Sequence, residues 1–202
     1  MRRVLLISGM LILFLAMVFP ASAMVVNFDD ISNPGDSAEV PSGYAGFTWD
    51  SLFTVENNAY YNATYYNNVT FPSTANAAFN GNGVGSIQVS NGAFNLEGAY
   101  FSTWAQDDAF NYFSSHALTV SGYQGANLVG SVSFDLTTDF VYQVLNLYNI
   151  DRVVFTTAEG GDTWWLMDDM TYSAASAVPL PGAVWLLGSG LVGLLGFRRL
   201  KG

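Results

Sequence analysis

Cysteine is absent from all 202 residues, so neither disulfides nor thiolate metal centres can contribute to this protein. Cations are almost as scarce where a folded domain would lie. Of the six Lys and Arg side chains, Arg2 and Arg3 open the chain, Arg198, Arg199 and Lys201 close it, and only Arg152 stands between. A single histidine, His116, accompanies it. Residues 24–177 therefore offer no thiol nucleophile, no lysine for a Schiff base, no multi-histidine metal centre and no arginine clamp, and an enzyme is not expected. All sixteen carboxylates, from Asp29 to Asp169, fall inside that same stretch, giving it a formal charge of 1 − 16 = −15. Such a surface repels phosphate backbones and anionic headgroups, which excludes nucleic acid as a partner. With no crosslinks available, stability must come from a core. Half of the residues are hydrophobic and 15% aromatic, and a domain of about 150 residues can bury roughly two thirds of its unfolded surface.

The two ends carry the remaining bases and read as addresses. Residues 1–23 run from Arg2-Arg3 through the apolar stretch Val4 to Phe19 to Pro20 and Ala21-Ser22-Ala23. A basic start, an apolar middle and an Ala-x-Ala site form a secretory signal peptide, with cleavage by signal peptidase expected after Ala23 and Ala21 occupying the other small-residue position. A permanent N-terminal anchor helix is the alternative. At the other end, residues 178–202 comprise Val178-Pro179-Leu180-Pro181, an uncharged segment over 183–197, and Arg198-Arg199-Leu200-Lys201. Fifteen residues rise only about 22 Å as a helix, but including residues 178–182 brings the span close to the ~20 residues a bilayer requires. The basic cluster would remain cytoplasmic, leaving residues 24–177 on the far side of the inner membrane.

A Pro-x-Pro motif, a short Gly-containing apolar helix and a terminal Arg cluster within the last 25 residues closely resemble the PEP-CTERM sorting signal. That resemblance implies an exosortase that recognises Val178, Pro179, Leu180 and Pro181 ahead of Arg198 and Arg199, removes the tail, and passes the protein to the cell surface or extracellular matrix of a Gram-negative, exopolysaccharide-producing bacterium. Leu180 departs from the family's name by standing where the motif has Glu. The alternative is a stable single-span anchor.

Between these signals, short apolar–polar alternations are punctuated by turn residues. Phe94, Leu96 and Tyr100 follow Asn91-Gly92; Leu118 and Val120 precede a turn over 122–125; Val132, Phe134 and Leu136 alternate with Ser131, Ser133 and Asp135. Period two predicts half-buried strands, with further strands over 25–28, 46–49, 86–89, 145–148, 152–156 and 165–172. No stretch of ten or more residues shows a helical period. The expected fold is all-β, an antiparallel β-sandwich or jelly roll over 24–177, flanked by a signal helix and a C-terminal transmembrane helix.

Two candidate sites emerge. The domain opens on Asp29-Asp30 and closes on Asp168-Asp169; terminal strands are often neighbours in a sandwich, and four converging carboxylates would call for a hard cation such as a structural Ca2+. Strict alternation lets one Asp of each pair face inward, and it places Asp168 with Leu166, Met170 and Tyr172. These opening and closing motifs resemble the terminal strands of calcium-bearing jelly-roll carbohydrate-binding modules. The second candidate is the Asn- and Tyr-rich stretch 57–83, read as a long polar connection in which Tyr60, Tyr61, Tyr65 and Tyr66 could stack on sugar rings. His116 beside Ser114 and Ser115 forms no triad, and Arg152 is expected to pair with an acid. Three functions remain open: a structural or adhesive component of the exopolysaccharide matrix, a calcium-dependent carbohydrate-binding module, and, remotely, a carboxylate-pair glycoside hydrolase.

Overall fold

The computed structural model describes residues 22–64, 69–104 and 113–175. The segment read as a signal peptide up to Ala21, the tail read as a sorting signal, Tyr65, Tyr66 and the Asp107-Asp108 pair lie outside them. Among the described residues no helix is long and apolar enough to cross a membrane.

Among the described residues the domain has ten strands and one short α-helix: β1 (Met24–Val26), β2 (Ser37–Glu39), β3 (Thr48–Trp49), β4 (Phe53–Asn57), α1 (Asn58–Thr64), β5 (Asn76–Asn80), β6 (Val84–Thr103), β7 (Ala117–Gln124), β8 (Asn127–Asp135), β9 (Val141–Gly161) and β10 (Trp165–Ala174). All pairings between these strands are antiparallel, in the order β2-β4-β5-β10-β6-β9-β7-β8, with β1 added to β10 and β3 to β6. The all-β expectation holds. Several predicted strands merge, however: 145–148 and 152–156 are parts of the one strand β9, and β6 runs through the Asn91-Gly92 position read as a turn.

Strand order alone would put β4 and β9 four strands apart, about 19 Å in a flat sheet. Their side chains nevertheless touch. Phe53 of β4 and Phe155 of β9 have ring centroids 6.0 Å apart, and Trp165 of β10 lies 6.3 Å from the first and 5.3 Å from the second. The sheet therefore folds over on itself, and a core of buried residues including Phe47, Trp49, Phe53, Leu96, Phe101, Val120, Phe155 and Trp165 fills the space between its two halves. Long strands accomplish this by bulging. Register shifts interrupt β6 against β9 at three levels between Ser90 and Gly98, and β10 against β6 between Asp168 and Tyr172. Asn146, Asn149 and Asp169 take left-handed backbone angles there. Extra residues in one strand bend it and increase its twist, which is how a continuous ladder turns a corner.

A second, smaller core covers part of the outer face. Tyr61, Val69, Phe71, Ala77, Phe79, Trp104 and Leu166 form it, with Phe140 and Trp164 packed against them. This corrects the reading of 57–83 as an extended polar loop. Asn57 starts α1 by accepting hydrogen bonds from the Ala59 and Tyr60 amides at 3.0 and 3.1 Å, the usual role of Asn at a helix N-cap. Asn62 then grips Val69 from both sides, donating to its carbonyl at 2.7 Å and accepting from its amide at 2.9 Å. These amides hold the segment down.

Two smaller expectations meet different fates. Arg152 lies over the Tyr123 ring, 4.3 Å from the centroid, and reaches Gln88 rather than a carboxylate. His116 sits on an exposed edge with Nδ1 3.2 Å from Glu159. Burial works against the Glu159 carboxylate, but the His116 amide and the Ser115 hydroxyl donate to it and hold it below the ordinary glutamate range.

Candidate functional site

The terminal strands meet as anticipated. Met24, Val25 and Val26 pair with Tyr172, Thr171 and Met170, so the two Asp-Asp pairs arrive at one end of the β1–β10 ladder. Three of the four carboxylates share a neighbourhood and one leaves it. Asp30 turns to Tyr44, whose hydroxyl donates to it at 2.5 Å; burial, together with this bond, raises the Tyr44 hydroxyl above its normal range. Asp29, Asp168 and Asp169 remain.

Ser73 stands at the centre of that group. Its Oγ lies 2.9 Å from Asp29 Oδ1, 3.0 and 2.8 Å from the two Asp168 oxygens, 3.0 Å from the Asn27 carbonyl and 3.3 Å from the Asn76 carbonyl. A hydroxyl has one proton to give, so five acceptors compete for it. Backbone amides relieve part of the demand: Ser73 and Asp169 donate to Asp168, and Ala75 and Asn76 donate to Asp29. Asn76 adds a further brace by donating its side-chain amide to the Phe28 and Ile31 carbonyls, both at 3.0 Å, while its own Oδ1 is buried without a partner. Phe28 at φ 61, Thr74 at φ 85 and Asp169 at φ 47 all adopt left-handed angles around this cluster. For residues with side chains that geometry is costly and is kept only where the surroundings enforce it.

Asp168 is completely buried. Burial pushes its pKa up to about 7; the Ser73 and Asp169 hydrogen bonds oppose the rise, and the Asp169 charge adds to it. Asp169 is raised as well, by burial and then by the nearby Asp29. The local phase explains why Asp168 faces this way. Trp165 and Met167 belong to the main core and Leu166 to the outer one, so Asp168 follows Leu166 outward. Met170, three residues after Met167, is back in the main core. One extra residue has therefore been inserted, at Asp169. The expectation that Asp168 shares a side with Leu166 is met, whereas Met170 and Tyr172 lie on the opposite side because the bulge shifts the alternation.

Whether this cluster suits a cation depends on its donors. Among the described residues no group of three or more acidic or histidine side chains is arranged to hold a metal by itself. What is present is mixed and entirely oxygen: Asp29, Asp168, the Ser73 hydroxyl and the Asn27 and Asn76 carbonyls, with the orphaned Asn76 Oδ1 on one of the contributing residues. Carboxylate, carbonyl and hydroxyl oxygens are the donor set of calcium rather than of zinc or copper.

The tyrosines read as a sugar platform divide. Tyr60 is at the surface of α1, but Tyr61 is only 1% exposed, sits in the outer core, and donates its hydroxyl to the Trp104 carbonyl. Tyr61 is therefore a packing residue with no face for a ligand. Reading the sequence missed a different aromatic group. On the outer face of the folded sheet, Asp168 pairs with Tyr100 and Tyr100 with Tyr142, which aligns a carboxylate and two tyrosines across β10, β6 and β9. The signal was present in Val141-Tyr-Gln-Val-Leu-Asn-Leu-Tyr148, a strand apolar on both phases. Leu145 and Leu147 use up the buried phase, so the other phase is exposed.

No family model and no curated protein matches the sequence. Solved structures do resemble the fold. A DUF4465 family protein from Bacteroides caccae is 12% identical with a TM-score of 0.50, over 75% of this chain and 98% of that one. An arabinose-bound α-L-arabinofuranosidase is 13% identical with a TM-score of 0.48, over 75% of this chain but 26% of the other. A family 29 carbohydrate-binding module from Piromyces equi is 14% identical with a TM-score of 0.39, over 82% and 98%. At such identities the first likeness is one of fold, and the two lower scores add nothing to it.

Proposed function

We propose that this chain is an exported, non-enzymatic protein of the bacterial cell surface or exopolysaccharide matrix, whose acidic β domain adheres to glycans and is clamped by calcium. The observation that carries the reading is the Ser73-centred cluster, where the first strand, the last strand and the 71–76 segment bring carboxylate and carbonyl oxygens together. Asp29 and Asp168 would hold the ion with the Asn27 and Asn76 carbonyls, and Asp169 would add outer charge; Asp30 is committed to Tyr44. A bound calcium neutralises the mutual repulsion and fixes the closure of the domain. The composition argument against enzymatic chemistry applies unchanged, and the single Arg and single His of residues 24–177 both have neighbours that engage them.

Thermal melts of the full chain in chelator and in millimolar calcium, run beside a glycan array under both conditions, test this directly. Calcium should raise Tm, with Asp168→Asn removing most of the increase, and glycan binding should be saturable. Equal melting in both buffers would remove the ion, and an empty array would remove the adhesive role. Export and sorting are tested by fractionating cells. Pro179→Ala combined with Pro181→Ala is expected to retain the tail and leave the protein in the inner membrane; unchanged surface release would exclude exosortase recognition.

A further inference from the structure

The first half of β9 exposes an apolar row that folding does not use. Tyr142 is 37% exposed, Val144 59% and Tyr148 55%, while Leu145 and Leu147 between them are buried. Four of the exposed large hydrophobic residues, Val141, Tyr142, Val144 and Tyr148, fall within this one octet. Scattered apolar residues on a surface mean little, but a contiguous row on one strand marks a contact surface.

The row is also built. Tyr142 lies across Gly98 of the neighbouring strand: a Cβ on that glycine would come within 2.7 and 2.8 Å of Tyr142 Oη and Cζ, and within 2.4 Å of the Gln143 carbonyl oxygen. Any side chain at position 98 would lift the ring. Tyr100 braces it from the side, with centroids 5.1 Å apart and planes at 72°, a favourable edge-to-face arrangement. Farther along, the bulge around Asn146 re-aims the strand, and the Tyr148 hydroxyl is held by the Asn146 side chain at 3.0 Å. Bulges commonly set side chains at binding surfaces in this way. Tyr142 and Tyr148 are six residues apart, at most about 20 Å along a strand.

Charge selects the occupant. The face lies beside Asp168 and Asp169 of β10, whereas the domain's only arginine sits farther along β9, over Tyr123. An anionic ligand would find carboxylates and no cation. A neutral ligand with flat C–H faces and hydroxyl edges would find two tyrosine faces, Val144 between them, and the Asn146 amide at the margin.

We infer that the outer face of β6 and β9, with Tyr142 and Tyr148 as its stacking residues and Tyr100 and Gly98 as the support of the first, is a binding site for an uncharged pyranose chain several sugars long. The inference rests on the glycan-adhesive reading proposed above and locates it away from the α1 tyrosines.

Binding of purified full-length chain in detergent to cellohexaose, xylohexaose and polygalacturonate, measured by calorimetry, tests it. At least one neutral oligosaccharide should bind, and polygalacturonate should not. Tyr142→Ala and Tyr148→Ala should each weaken binding about tenfold or more, Tyr142→Phe should stay within about threefold because the stacking face is kept, and Tyr60→Ala should change nothing. Both alanine positions are exposed, so their melting temperatures should match the parent and separate lost contact from lost fold. If the parent binds and both alanine variants bind equally well, this site is wrong while the adhesive reading stands. If binding is confined to polygalacturonate, the neutral-ligand assignment is overturned. If the parent binds no glycan of any kind, both this site and the reading beneath it fail.

Discussion

Raising the pH from 5 to 7 in chelator-containing buffer should destabilise the folded protein by about 3–5 kcal/mol, read as a fall in the free energy of chemical unfolding at 25 °C. Two buried acids cause this. Glu56 on β4 is 3% exposed and its Oε1 has no partner; burial, aided by the Asp36 charge and opposed by the Asn57 amide, pushes its pKa from 4.5 up to about 8. Asp168 rises from 3.8 to about 7, chiefly by burial. Each folded-state pKa is above its unfolded value, so across the interval between the two the folded chain keeps a proton that the unfolded chain has released. Stability is then greatest below the unfolded values and declines as pH climbs, by about 1.4 kcal/mol per pH unit for each group. The decline ends near pH 7 for Asp168 and near pH 8 for Glu56. Glu56→Gln should halve the slope and gain stability at pH 8. Millimolar calcium should remove the Asp168 share and leave that of Glu56. A free energy of unfolding that is level or increases between pH 5 and 7 would mean that neither carboxyl is buried as described.

Trp165→Ala should cost about 3–5 kcal/mol, the range for deleting a fully buried aromatic. Trp165 is completely buried and touches Phe53, Phe101 and Phe155 at 6.3, 6.0 and 5.3 Å between centroids. Those three rings come from β4, β6 and β9, so the indole joins the two halves of the folded sheet. Its Nε1–H is buried without an acceptor, which makes Trp165→Phe an informative companion. That variant loses volume but also relieves a desolvated donor, a gain of about 1–3 kcal/mol, so its cost should be well below that of alanine. Equilibrium chemical unfolding measures both. A Phe variant as damaged as the Ala variant would show that the Nε1–H is satisfied after all.

The contrast between these residues and the functional candidates shows which features a sequence makes visible. Alternation exposed the inward phase of β7 and β8, because Leu118, Val120, Val132 and Phe134 obey a two-residue period set by backbone geometry alone. The approach of Asp29 toward Asp168 was also legible, since it required only that the first and last strands be neighbours. The side each carboxylate takes was not. It depends on one inserted residue at Asp169, and bulges carry no fixed sequence mark. The stretch 57–83 looked like a polar loop because nothing local reveals that Asn58 and Asn62 both reach Val69, a backbone group brought near by tertiary packing. Tyr142 and Tyr148 were overlooked for a related reason. Their exposure follows from which half of β9 lies uncovered, a property of the folded sheet as a whole.

The pairing of Met24 with Tyr172 carries a kinetic consequence. Among the described residues the first strand pairs only with the last, so this contact has nearly the greatest sequence separation the domain allows, and such closures are slow. A chain threaded through a translocon amino-terminus first cannot form it until almost the whole domain has emerged. On the export route proposed above, the fold would stay open during passage and lock only on the far side, where the same closing strand assembles the cluster around Ser73.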